Sequence, residues 1–229
     1  LPELFELRTS FGPGRGAMDA MAALQWLAGA VALAVLALAV PRLPWHKLQG
    51  DPEAQRVLGM ATMALVLLRV FNTHGLAGVQ LNFTGAMVAV LMFGPAFALW
   101  ALAVASLVAW PFGYAWLGPG PDFLATAAVP VALGWAWSRF CERRLSPNLF
   151  VYVLVQGFLG GALAIAASNL GKYLAAAWLE LPGAGFYLLA TPLMMFGEAF
   201  LTGGAMALIV VYRPHWCSTF DDARYLRPR

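Results

Sequence analysis

Six long stretches almost free of charge fix what this chain can become. Residues 22–40, 57–71, 83–111, 123–137, 149–170 and 185–212 hold between them one basic side chain, Arg69, and one carboxylate, Glu198. Apolar runs of about 18 residues or more are long enough to cross the hydrocarbon layer. With 61% hydrophobic and 11% charged residues, the chain reads as a polytopic all-α integral membrane protein rather than an aqueous domain. Its length of 229 residues suits a single helical bundle of about six to seven segments, covering 18–229, with no separate soluble domain. Residues 1–17, LPELFELRTSFGPGRGA, are polar and rich in Gly and Pro. They are expected to be a leader or tag-like segment outside the fold.

Charge placement orients the spans. Ten of the fourteen Lys and Arg fall in 42–56, in 139–144 and in the tail after Tyr212, whereas 72–82 and 112–122 have none. Basic residues mark cytoplasmic loops, so the pI of about 9.1 calls for no nucleic-acid partner. Keeping all three basic places on one side requires an even number of crossings between Arg56 and Arg139. The spans 57–71 and 123–137 supply two. Residues 83–111 therefore cross twice or not at all, which predicts a broken, re-entrant hairpin at Gly94-Pro95, where proline removes a helical hydrogen bond. Its first arm, 83–93, covers only about 16 Å, half the hydrocarbon thickness. The N-terminus then lies outside and the C-terminus inside.

The segment 73–95, THGLAGVQLNFTGAMVAVLMFGP, sets polar side chains against an apolar run. Backbone and polar groups at membrane depth need partners within the protein or a wet cavity. His74, Gln80, Asn82 and Thr84 are accordingly candidate substrate-binding residues, with Asn82 placed to cap the half-helix. Free N–H groups at a helix start favour electronegative groups. The alternative is that these side chains only cap the helix and satisfy one another.

Glu198, in mid-span, is the further candidate, because an intramembrane carboxylate is costly unless paired or protonated. Its structural alternative is to tie helices together through Arg69, Lys172 or backbone freed at Pro192. Arg69, near a helix end, is expected to snorkel to the interface. Lys172 is expected in or near a connection, and the tail FDDARYLRPR to be solvated, with binding of a cytoplasmic partner as the alternative. Met87, Met92, Met194, Met195 and Met206 read as packing rather than thioether ligands. Cys141 and Cys217 form no metal or disulfide motif and are expected to stay reduced. No nucleophile–base set, HExxH or pair of carboxylates at depth points to an enzyme.

At GVQLNFTGAMVAVLMFGPAFALWAL the chain resembles the CbiM-like cobalt and nickel permeases, the substrate-binding components of energy-coupling-factor transporters. The motifs NLFVY (residues 148–152) and EAF…RPHWCSTFDDARYL (residues 198–226) are similar to a divergent bacterial branch of that family. The resemblance implies a helical bundle in the bacterial inner membrane with its N-terminus outward. It also implies a divalent transition metal ion as substrate rather than resident cofactor, and separate ATPase and coupling subunits as partners, since the chain has no Walker motif. In the metal-transporting relatives a histidine before the FGP motif and an N-terminal Met-His pair bind the ion. Here the first position is Asn82 and the second is Met18-Asp19. His74 and Asn82 are then the candidate metal-binding residues. Loss of both histidines leaves a second function open: an accessory or scaffold subunit of a larger membrane complex that has lost the metal site.

Overall fold

The computed structural model describes residues 15–70, 72–76, 79–221 and 225, the side chains of 15–18 and 72–76 excepted. Helix α1 (Arg15–Ala39) leads through short 3-10 turns to α2 (Pro52–Val70). Strands β1 (Asn72–Leu76) and β2 (Val79–Asn82) follow, then α3 (Ala86–Ala109) and the five-residue α4 (Pro119–Phe123). α4 runs through a π-turn at Leu124–Ala128 into α5 (Val129–Arg144). A nine-residue π-helical stretch, Val151–Leu159, opens α6 (Gly160–Trp178), and α7 (Gly185–Tyr212) completes the bundle. By length and composition alone, four of these helical stretches, residues 19–42, 86–112, 151–178 and 185–212, are long and apolar enough to cross a membrane, the second of them broken at Gly94. Their outer faces carry large exposed apolar side chains such as Trp26, Leu33, Leu189 and Leu193. Apolar surface of this extent belongs in lipid.

The break at Gly94 makes α3 two antiparallel arms. Gly94 has φ 80° and ψ 171°, far from helical values. A straight helix from Gly85 to Ser106 would span about 31 Å, yet both ends meet the same turn of α2. Gly85 lies against Leu65 and Leu68, and the Arg69 guanidinium donates to Ser106 Oγ at 3.2 Å. The apex at Gly94-Pro95 sits instead beside the C-terminal segment, where Ser218 N–H donates to Met92 O at 2.8 Å. The hairpin expected from charge counting is therefore present, its arms packed around Ala86, Ala89, Val90, Ala98, Leu102 and Ala105.

Two expectations about local structure change. Residues 72–76 and 79–82 pair as two antiparallel strands, with Asn72 opposite Asn82, in place of an irregular loop. Pairing satisfies backbone groups that a loop so deep in the bundle would leave stranded. The C-terminal segment is packed rather than solvated. Cys217, Phe220 and Tyr225 are buried, and Tyr152, Phe220 and Tyr225 form an aromatic triad with centroids 5.0–5.2 Å apart. Apolar area removed from water, plus edge-to-face geometry, outweighs solvation of the few polar groups there. Cys141 and Cys217 are free thiols.

Candidate functional site

Around β2 and the start of α3, four elements bring buried polar side chains together. Helix α3 starts awkwardly: its cap, Gly85, is left-handed at φ 61° and supplies no side chain. A Cβ there would stand 2.5 Å from Leu65 Cδ2, and the residue bearing it would have to adopt the positive φ, both of which favour glycine. The cap comes from across the bundle. Glu198, fully buried on α7, accepts from Thr84 N–H at 3.0 Å, Thr84 Oγ at 2.8 Å and Gly85 N–H at 2.8 Å. A carboxylate on two successive N–H groups at a helix start gains from their dipoles and from the helix dipole. Asn82 is therefore not the N-cap. Glu198 does tie helices together, but through Thr84 and Gly85, not through Arg69, Lys172 or backbone at Pro192.

Asn82 has another partner. Lys172 lies inside α6, 0% exposed, not in a connection. Its ammonium donates to Asn82 Oδ1 at 2.7 Å and to the Gln80 carbonyl at 3.1 Å. Gln80 is held further by its N–H on Tyr187 Oη (3.3 Å) and its side-chain amide on Gly113 O (3.2 Å). One turn before Lys172, Asn169 donates to Thr191 Oγ at 3.2 Å, while its Oδ1 is buried without a hydrogen-bond partner.

The third cluster corrects the expectation for Arg69. Its side chain is 1% exposed and forms a two-oxygen pair with Asp122, at 2.9 and 3.1 Å. It donates as well to Ser106 Oγ and to Thr126 Oγ at 2.6 Å. Asp122 accepts from Trp116 N–H at 3.2 Å and is 0% exposed. Snorkelling fails because acceptors from α3, α4 and the π-turn close over the guanidinium before it reaches the surface. Asp122 went unnoticed in the sequence because it opens a span in a Gly/Pro-rich loop, GPGPD, where a solvated turn carboxylate is the common case.

Of the candidate residues, Gln80, Asn82, Thr84 and Glu198 are thus brought together, and Arg69, Asp122 and Lys172 join them. His74 is on β1, and its side chain lies outside the described residues. Among the described residues, no group of three His, Cys, Asp or Glu side chains is arranged to hold a metal ion. Met87 and Met206 are core residues, as expected.

Residues 18–216 match the family model CbiM, the cobalt uptake substrate-specific transmembrane region. The chain belongs to this family. It is accordingly a multi-pass membrane component of energy-coupling-factor metal uptake. Two crystal structures share its fold: a transition metal transporter (19% identity, TM-score 0.61) and a truncated transition metal transporter (19%, 0.62). The match covers 82% of this chain in both, with 87% and 92% of the respective neighbour. No curated protein sequence matches the chain. At this identity the two neighbours speak for the fold, whereas the family rests on the sequence model.

Proposed function

We propose that this chain is the substrate-binding permease of a bacterial inner-membrane uptake complex. Its substrate is a divalent transition metal ion, and its binding segment is His74 to Thr84 together with Glu198. The observation that carries this reading is that two buried charges converge on one short segment, with a buried ion pair beside the same end of the α3 hairpin. Arg69, Asp122, Lys172 and Glu198 come from four different helical elements; Lys172 and Glu198 hold residues 80–85 directly, and the Arg69–Asp122 pair is anchored on Ser106 of the returning α3 arm. Burying charge is expensive and a bundle packs well without it, so such groups mark transport sites. The segment faces the outside with the N-terminus, and the Gly94 apex and the tail face the cytoplasm. There they meet the ATPase and coupling subunits that supply the energy. The chain itself performs no covalent chemistry.

The Lys172 ammonium on Asn82 Oδ1 favours the second reading, an accessory subunit of a larger complex that no longer binds metal. One experiment separates the two. Purification from native membranes is expected to bring down ATPase subunits in fixed ratio, and cobalt accumulation is expected to depend on this chain. A stable stoichiometric complex without ATPase subunits, in cells whose cobalt content ignores deletion of the chain, contradicts the permease reading.

A further inference from the structure

Lys172 is an unusual buried lysine. Among the described residues the ion pairs are Arg69–Asp122, Arg139–Glu142 and His215–Glu53, and Lys172 is in none of them. The two buried carboxylates nearby are committed elsewhere, Asp122 to Arg69 and Glu198 to the start of α3. What holds the ammonium is a pair of neutral oxygens, Gln80 O and Asn82 Oδ1, which converge on it from one strand. A lysine retained for stability is normally paired, because an ammonium out of water is costly otherwise. Carbonyl and amide oxygens converging on one point are instead the kind of cradle proteins build for a cation.

The geometry points to Lys172 as a tethered cation that fills this cradle, so that a divalent ion reaches Asn82 only by displacing the ammonium. The inference rests on the reading of residues 80–85 as the binding segment and names the residue that controls access to it. Two facts enforce the exclusion. Metal–oxygen bonds are about 2.0–2.6 Å long, so an ion held by both Gln80 O and Asn82 Oδ1 takes the space of the nitrogen that lies 3.1 and 2.7 Å from them. In formal charge, Arg69 and Lys172 also balance Asp122 and Glu198. A divalent ion added beside them leaves two uncompensated charges in a low-dielectric interior, where repulsion is strong. Asn169 Oδ1, buried and without a partner one turn earlier on α6, is an acceptor toward which the displaced ammonium can turn.

The test uses the full chain in lipid nanodiscs, with Co²⁺ and Ni²⁺ titrated calorimetrically. Lys172→Met removes both charge and donor. Lys172→Gln keeps a donor for the two oxygens without charge and guards against loss of fold. Either folded variant is expected to bind at least about ten-fold more tightly than the unmodified chain, and adding Asn82→Ala is expected to abolish the gain. Equal or weaker binding by the folded Lys172 variants overturns the proposal and leaves the binding segment standing. No binding by any form, including Asn82→His with Lys172→Met, overturns the proposal and the reading of residues 80–85 as a cation site together.

Discussion

The two ends of the α3 hairpin face the same physical problem and solve it differently. At each end the helical ladder is interrupted by a glycine of positive φ, Gly85 at 61° and Gly94 at 80°. At the Gly94 apex the freed carbonyls of Leu91 and Met92 accept from Thr219 Oγ (2.7 Å) and Ser218 N–H (2.8 Å), under an aromatic lid of Phe220 and Tyr225. Neither of these partners is charged. At the Gly85 end the partner is Glu198, with Lys172 on the preceding strand and the Arg69–Asp122 pair on Ser106 of the returning arm, all buried. Neutral partners suffice to repair a broken helix. The charged repair is the costlier one, and it supports the proposal that the binding segment lies at this end.

The largest effect is expected at the charged end. Asp122→Ala leaves the Arg69 guanidinium buried without its counter-ion, a loss of about 3–5 kcal/mol, measured as thermal melting in detergent. Adding Arg69→Met is expected to recover most of it, whereas a double variant no better than the single breaks the assignment of a buried pair. At the apolar end, Phe220→Ala removes a packed ring and is expected to cost about 3 kcal/mol, the low end for a buried phenylalanine. A change within error means that the tail is not part of the fold. Gly94→Ala meets no steric obstacle, since the nearest atom to an added Cβ is Ser218 Oγ at 3.9 Å. Its cost is backbone strain alone, about 1–3 kcal/mol by the same melting assay. The smallest effect is chemical rather than energetic. Burial pushes the Cys217 thiol up to about 12, so at pH 8 it is protonated as well as enclosed. Maleimide is expected to label it only after unfolding, and rapid native labelling contradicts the packed tail.

Much of the frame was legible from charge and proline. Counting Lys and Arg between Arg56 and Arg139 already required an even crossing number and put the break at Gly94-Pro95, because loop charge and the missing proline N–H act locally. The spans at 185–212 and 22–40 follow from apolar length alone. What the sequence concealed are partnerships between distant residues. Arg69 and Asp122 stand 53 positions apart and Asn82 and Lys172 stand 90 apart, and each taken singly has an ordinary surface explanation. The cap on α3 was misassigned for the same reason. Asn82 has the right chemistry for a local cap, but Glu198 offers a charge to two N–H groups from 113–114 residues away. Glu198 was legible as important because nothing else in its span is charged. Its partner was not.

The most direct test of the difference between the two ends is cobalt uptake per folded molecule, for Glu198→Gln against Phe220→Ala, in cells carrying the whole transport complex. Glu198→Gln keeps the shape but loses the carboxylate that fixes Thr84 and Gly85. It is expected to lower uptake per folded molecule at least about ten-fold, the effect of about 1.4 kcal/mol at the site. Phe220→Ala, though less stable, is expected to keep normal uptake in the fraction that folds. Uptake that simply follows the amount of folded protein in both variants would contradict the account.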